Sequence, residues 1–389
     1  MKHRMKRILI FSLAYYPHVG GAEVALKEIT DRIPDIEFHM ITLRMNHEKK
    51  EEKIGNIFVH RTGNGSSYFQ KILFIPRAAA VAARLHKQKP FDASWAMMSY
   101  MLFPIVLLRW RGINMPYLLT LQEGDPWEHM FSRWFILPFR PLLSCGFKNA
   151  TAIQTISTFL SGWAKQAGFL GTPEIIGNGV DVNRFAFTYS NEEIVLMQKK
   201  LQKKSGDIFL VTSSRLVHKN AIDDVIHALQ LLPQNINFVI CGIGPDEVML
   251  KRLADTLSVS SRVHFMGQVE HKELPAILKA CDIFIRPSRS EGMGNSFIEA
   301  MAAGLPVIAT QEGGISDFLF DAKRNSDRET TGWAVDKDSP EQIAEAVKYI
   351  IAHPEQVARV KETAIKLVSE NYNWDFISQK MHVLLTNLR

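Results

Sequence analysis

The sequence predicts an α/β protein built from two doubly wound, parallel-sheet domains. Three observations carry that expectation. The chain has 389 residues, and a domain usually holds ~100–200. Short apolar runs alternate with stretches of helical periodicity, the pattern of right-handed βαβ units. The alternation lapses over 190–206, which is polar and rich in lysine, and then restarts. A hydrophobic content of 46% with 22% charged residues is ordinary globular composition and supplies a core for each half.

The elements follow in order. Arg7–Leu13 reads as a strand, Ala22–Ile33 as a helix and Glu37–Leu43 as a strand. A helix is expected at Gln70–Gln88, and strands at Phe91–Ala96, Tyr117–Leu121, Thr151–Thr155 and Glu174–Ile176. Beyond the connector, strands are expected at Ile208–Ser213, Asn237–Cys241, Val263–Met266, Ile283–Arg286 and Val307–Ala309. The expected division is 1–188 and 189–372, with a last helix over 373–389 packing back on the first domain, and the two domains facing each other across a cleft.

The opening KHRMKR followed by ILIFSLA imitates a secretory signal, with Ser12-Leu13-Ala14 as its cleavage site. The apolar run is short and YYPHVGGAE follows at once, so a first strand and its loop are preferred. Met101–Trp110 is the longest apolar run, is interrupted by Pro104, and falls short of the ~18 residues of a spanning helix. Cys145, Cys241 and Cys281 are scattered without metal spacing and read as buried thiols in a reducing compartment. Residues 1–185 hold 23 Lys and Arg against 14 Asp and Glu, a balance of +9; residues 186–389 hold 23 against 26, a balance of −3. The basic half suits an anionic partner (a membrane surface, a phosphate-bearing acceptor or a polyanion), and solubility alone accounts for it equally well.

Ligands of doubly wound sheets sit at the carboxyl ends of the strands, so the strand-to-helix turns are where chemistry is sought. HVGGAE over 18–23 has a Gly-Gly that lets backbone approach a ligand, a weak signal alone. SSRLVHKN over 213–220 brings Arg215 and Lys219 just past a strand end, a guanidinium fork and a compact ammonium suited to phosphate. CGIGPDE over 241–247 is a further turn whose acidic helix start needs no ligand. SRSEGMGNSFIEAMAAG over 288–304 sets Glu291 and Glu299 on either side of a bare glycine run, with Asn295 or Ser296 expected to cap the helix. Helix N–H groups attract an anion, and the carboxylates accept from sugar hydroxyls, so the stretch suits a nucleotide sugar. Asp336-x-Asp338 is a tempting divalent pair, but a solvated turn is the preferred reading. The aromatic and basic segment 127–147 reads either as an interfacial surface or, preferred, as packed core.

These motifs resemble the retaining glycosyltransferases of family 4, the glycosyl transferases group 1 with the GT-B fold. The resemblance rests on SRLVHKN, GIGP, VHFMGQV, ACDIFIRPSRSEGMGNSFIEAMAAGLPVIATQEGGISDFL, TTGWAV and DSPEQIAEAV, and in the first half on YYPHVGGAE and NGVDVNRF. It implies a Rossmann-like pair of domains and transfer of a sugar from a UDP- or GDP-sugar, with retention, to a glycan or lipid-linked acceptor. It further implies that Gly21 lies against the donor diphosphate, that Arg215 and Lys219 grip the phosphates, and that Glu291 meets the sugar hydroxyls. Met293, Gly294, Asn295 and Ser296 would supply backbone near sugar and phosphate, Glu299 would bind the ribose, and Val269 would offer backbone to the base. The family usually carries a histidine where this chain has Gln122; Glu123, Asp125 and His129 lie close by as candidate acceptor-side groups. Arg215, Lys219 and helix N-termini would stand in for a metal, so no metal or other cofactor is expected, and no nucleic-acid partner. A cytoplasmic location is expected, with peripheral contact at the inner membrane face left open. Two alternatives stand beside this reading: a nucleotide-sugar-binding subunit with weakened catalysis, motivated by Gln122, and an epimerase of the same architecture, against which EAMAAGLPVIAT counts.

Overall fold

The computed structural model describes residues 4–134 and 136–389. The chain divides into two compact units: the first runs to Asn178 and takes back Trp374–Arg389, and the second is Gly179–Asn373.

The first unit is an eight-stranded sheet. Its strands are β1 (Lys6–Phe11), β2 (Ile36–Leu43), β3 (Glu51–Ile54), β4 (Ile57–Thr62), β5 (Ala93–Met97), β6 (Tyr117–Leu121), β7 (Ala152–Thr155) and β8 (Glu174–Ile175), in the order β3-β4-β2-β1-β5-β6-β7-β8. All neighbours are parallel except β3 and β4. Strands β5 and β6 are buried at every residue, as parallel strands covered on both faces must be. The apolar run after the basic N-terminal residues is β1, a central strand between β2 and β5. The β3–β4 hairpin is an addition to the expected elements. It turns at Gly55-Asn56, with Gly55 at φ +56°, and its charged edge strand alternates polar residues that mask the strand pattern.

The second unit is a six-stranded sheet of β9 (Ile208–Ser213), β10 (Ile236–Cys241), β11 (Val263–Gly267), β12 (Ile283–Arg286), β13 (Val307–Ala309) and β14 (Trp333–Ala334), in the order β11-β10-β9-β12-β13-β14. Every pairing is parallel. The sheet grows outward from β9 to β11 and then returns to place β12 on the other side of β9. That reversal makes a switch point between the carboxyl ends of β9 and β12.

The unit boundary falls at Asn178, earlier than 188, because the helix Val182–Ala186 packs on the helix Asn295–Ala302 with Phe185 fully buried. Residues 190–206 are not a bare connector. Ser190 and Glu193 form a reciprocal cap at the start of the helix Asn191–Lys200, which packs on the helix Leu274–Ala280. The last helix, Trp374–Thr386, lies against Gly21–Asp31 and adds Trp374, Ile377, Met381 and Leu385 to the first unit's core. Lys6 anchors its end through the carbonyls of Thr386 and Leu388, at 2.9 and 2.8 Å.

Candidate functional site

The predicted donor residues of the second unit gather at the switch point. Arg215 and Lys219 stand on the turn after β9, Arg215 exposed and Lys219 half-buried. The turn is held from below: Asn220 donates to the Arg215 carbonyl at 2.7 Å, and the Lys219 carbonyl accepts from the Arg289 N–H at 2.7 Å. Glu291, Met293, Gly294, Asn295 and Ser296 follow β12, and Glu299 projects from the first turns of the helix Asn295–Ala302.

That helix is capped by neither Asn295 nor Ser296, contrary to expectation. Its N-cap is Gly294, at φ +87°, and no side chain caps it. Ser296 is instead drawn inward, its hydroxyl accepting from Arg286 at 2.8 Å. A side chain at Gly294 would lie 2.5 Å from the Phe297 ring and 2.7 Å from the Arg286 guanidinium, so the glycine serves both conformation and space.

Arg286 is the site residue that motif reasoning missed. At 5% exposure it ends β12 beneath the glutamate loop. It donates to Glu291 Oε2 at 2.8 Å, to Ser296 Oγ at 2.8 Å and to the Ser213 carbonyl at the end of β9 at 3.3 Å. Its guanidinium lies 4.2 Å from the centre of the Phe297 ring. Burial disfavours its charge, and Glu291 and Glu299 sustain it. The one available signal was an arginine closing an otherwise apolar strand. Glu291 also accepts from the Gly292 N–H at 3.1 Å, so its carboxylate is oriented before any ligand arrives.

Glu299 has a different partner. Its Oε1 is 3.0 Å from His271 Nε2, and His271 Nδ1 is 2.9 Å from Arg184. His271 rides on the loop after β11, two residues past Val269. The predicted ribose-binding carboxylate and the predicted base-binding loop are thereby brought together, through a histidine absent from the sequence-derived set.

The remaining candidates belong to the first unit. Gly21 opens the helix Gly21–Asp31 after β1, and the preceding Gly20 N–H donates to Glu23 at 2.7 Å. Gln122 follows β6, and its amide is paired with Asn178: Gln122 Nε2 donates at 3.1 Å and Asn178 Nδ2 donates back at 3.3 Å. This exchange requires both a donor and an acceptor on one side chain, which glutamine has. Glu123 faces inward at 1% exposure, accepting from the Ser99 N–H at 2.7 Å, the Ser99 hydroxyl at 2.6 Å and the Gln122 N–H at 2.9 Å. Burial pushes its carboxyl above the usual range while those bonds oppose the rise. It holds the turn at Met98, a residue at φ +70°, and is not presented to an acceptor, which corrects the expectation for Glu123. Asp125 and His129 face each other at 4.0 Å on the surface.

Geometry bears on three further expectations. Asp336 is paired with Arg324 at 2.9 Å and Asp338 with Arg289, and both side chains remain largely exposed, as in a solvated turn. Cys145 is exposed, not buried as expected, while Cys241 and Cys281 are buried. In the segment 127–147, Trp127, Phe131 and Phe147 are packed ring on ring, but Trp134, Leu137 and Phe139 are exposed, Trp134 at 82%. Phe135 lies outside the described residues. Among the described residues no helix is long and apolar enough to cross a membrane.

Residues 194–367 match the model of the glycosyl transferases group 1. Over 373 residues the chain is 24% identical to an uncharacterised glycosyltransferase of Methanocaldococcus jannaschii, covering 93% of each. Over 260 residues it is 28% identical to the GDP-mannose-dependent α-(1-6)-phosphatidylinositol monomannoside mannosyltransferase of Mycobacterium tuberculosis, covering 64% of this chain and 65% of that enzyme. Among solved structures it superposes on sucrose-phosphate synthase from Thermosynechococcus elongatus with a TM-score of 0.83 at 17% identity, covering 98% of this chain and 99% of that one. It superposes on Anabaena HepE in complex with UDP and glucose with a TM-score of 0.81 at 19% identity, covering 98% and 100%. The two Rossmann-like units share the GT-B fold with these structures.

Proposed function

We propose that this chain, whose residues 194–367 match the glycosyl transferases group 1, moves a sugar from a UDP- or GDP-sugar to a glycan or lipid-linked acceptor with retention of anomeric configuration. The observation that carries the proposal is the arrangement at the β9/β12 switch point. Two cations, Arg215 and Lys219, stand beside a bare helix N-terminus flanked by Glu291, held by a buried arginine, and Glu299, held by a histidine. A diphosphate with a sugar on each side matches that sequence of charges.

In this reading the bond between the sugar C1 and the diphosphate oxygen breaks while the acceptor oxygen bonds C1 on the same face. The acceptor proton passes to the departing phosphate oxygen. Arg215 and Lys219 stabilise the negative charge that grows on the diphosphate. Glu291 accepts from hydroxyls of the transferred sugar and Glu299 from those of the ribose. Val269 offers backbone to the base, and Gly21 lies against the diphosphate. The chemistry is carried by fixed cations and backbone dipoles, without a divalent metal. Gln122, locked to Asn178, orients the sugar by hydrogen bonds and carries no proton. A lipid-linked acceptor is favoured by the basic first unit, by exposed Trp134 and Phe139, and by the lipid acceptor named for the mycobacterial relative. The protein then works on the cytoplasmic side, touching the membrane peripherally.

A thermal-shift screen of UDP- and GDP-sugars tests the donor, since a ligand bound to the native state raises the melting temperature. NMR of the product of the matching donor reports the anomer. An inverted product refutes retention. Donor binding with neither hydrolysis nor transfer favours the second reading, a binding subunit, which the Gln122–Asn178 pairing alone motivates.

A further inference from the structure

Arg289 stands between the end of β12 and Glu291, and its side chain reaches three segments at the carboxyl edge of the sheet. It grips Asp223 fork to fork, at 2.9 and 3.0 Å, and donates to Asp224 at 2.9 Å and to the His218 carbonyl at 2.8 Å. Its Nε meets Asp338, in the turn after β14. Its own N–H donates to the Lys219 carbonyl. The backbone beside these contacts is strained: Ala221, just past the lysine turn, sits at φ +53° and Asp338 at φ +55°. Such conformations persist where surrounding contacts over-determine them, and here those contacts converge on one guanidinium.

We propose that Arg289 is a positioning residue of the donor site, which sets the Lys219 turn relative to the glutamate loop so that the ammonium meets the diphosphate. The proposal rests on the donor reading above. Lysine is a point charge on a long flexible stem, so its placement depends on the backbone that carries it, and that backbone is held through the carbonyls of His218 and Lys219. A lysine at 289 would keep the charge and lose the fork on Asp223.

Removing Arg289 alone leaves the buried Asp224 without its cation and endangers folding, so the test pairs Arg289→Gln with Asp224→Asn. Calorimetry with UDP and with GDP is run on the unsubstituted protein, on Lys219→Ala, on the Arg289→Gln/Asp224→Asn pair, and on all three changes together. The pair is expected to weaken the bound nucleotide about tenfold, much as Lys219→Ala does. The combination should be only slightly weaker than Lys219→Ala, since two changes acting through one contact do not add. Arg289→Lys should fall between. Unchanged affinity in the pair, or losses that multiply fully in the combination, overturns the proposal and leaves Arg289 a structural ion pair. If the unsubstituted protein binds neither nucleotide, the donor reading itself fails, an outcome visible before any variant is compared.

Discussion

Glu291 and Glu299 look alike in sequence, yet the structure gives them different neighbours. Glu291 is bound to a buried arginine and Glu299 to a histidine on the loop after β11; in the proposed reading these carboxylates hold the transferred sugar and the ribose. Glu299→Ala should therefore weaken UDP or GDP, whereas a change at Glu291 should chiefly lower turnover. The better probe at 291 is glutamine, which leaves an oxygen for Arg286, while alanine strands a buried cation. Equal losses of nucleotide affinity in Glu299→Ala and Glu291→Gln would refute the division. Arg215→Ala and Lys219→Ala should each slow transfer by about 10²–10³, the cost of losing a group aimed at developing charge, measured as kcat at saturating donor. Asp224 gives a pH prediction. Burial pushes its carboxyl up to about 6, with Arg289 pulling it down and Asp223 and Asp338 pushing it up. Its acid form is favoured in the folded state, so its contribution is present below pH 4 and is lost as pH rises through 6. Asp224→Asn should thus gain stability relative to the unsubstituted protein at pH 8 compared with pH 5, read as the difference in melting temperature at the two pH values.

The loops decide whether those residues meet. The segment after β12 is narrow because another loop presses on it: Gly314 N–H donates to the Glu291 carbonyl at 3.1 Å, and a Cβ at Gly313, at φ +60°, would fall 1.9 Å from that carbonyl oxygen. Gly313→Ala should displace Glu291 without touching the donor, and a shift of about 1 Å costs up to 10² in rate. Unaltered kcat and donor KM in this variant would show that the loop has slack. The helix Asn295–Ala302 starts with a glycine for the same spatial reason: the position that a capping side chain would occupy is filled by Phe297 and Arg286. Ser296 had the residue type of a cap but the partner of a core residue.

The whole chain divides its charge, basic in the first half and slightly acidic in the second. The first unit also exposes Tyr68, Phe69 and Ile72 at the start of one helix and Trp134, Leu137 and Phe139 on a later segment. Sedimentation with vesicles should show binding to anionic lipid at low salt and release at high salt, since each lysine or arginine near such a surface contributes about 1 kcal/mol and is screened by ions. Indifference to anionic vesicles at low salt would point to a soluble glycan acceptor. Activity should survive excess chelator; loss that magnesium or manganese restores would refute the metal-free chemistry. Removal of the last helix, which contributes four buried apolar side chains to the first unit, should destabilise that unit, and Trp374→Ala alone should cost about 3–5 kcal/mol in a denaturant titration.

Periodicity and turn composition in the sequence determined the two parallel-sheet units, the strand ends at Ser213, Arg286 and Ala309, and the placing of Arg215, Lys219, Glu291 and Glu299 on neighbouring turns. These are local or nearly local properties: a strand between glycine-bearing turns is written in consecutive residues. Partnership is not local. That Arg286 reaches the Ser213 carbonyl across 73 positions, that His271 reaches Glu299 across 28, that Glu123 turns inward to Ser99 and that Gln122 pairs with Asn178 were decided only when parallel strands set distant loops side by side. The reason is energetic as well as geometric. A buried charge or amide must find a partner among whatever the fold brings within reach, and residue type alone does not say which face of the turn will be dry.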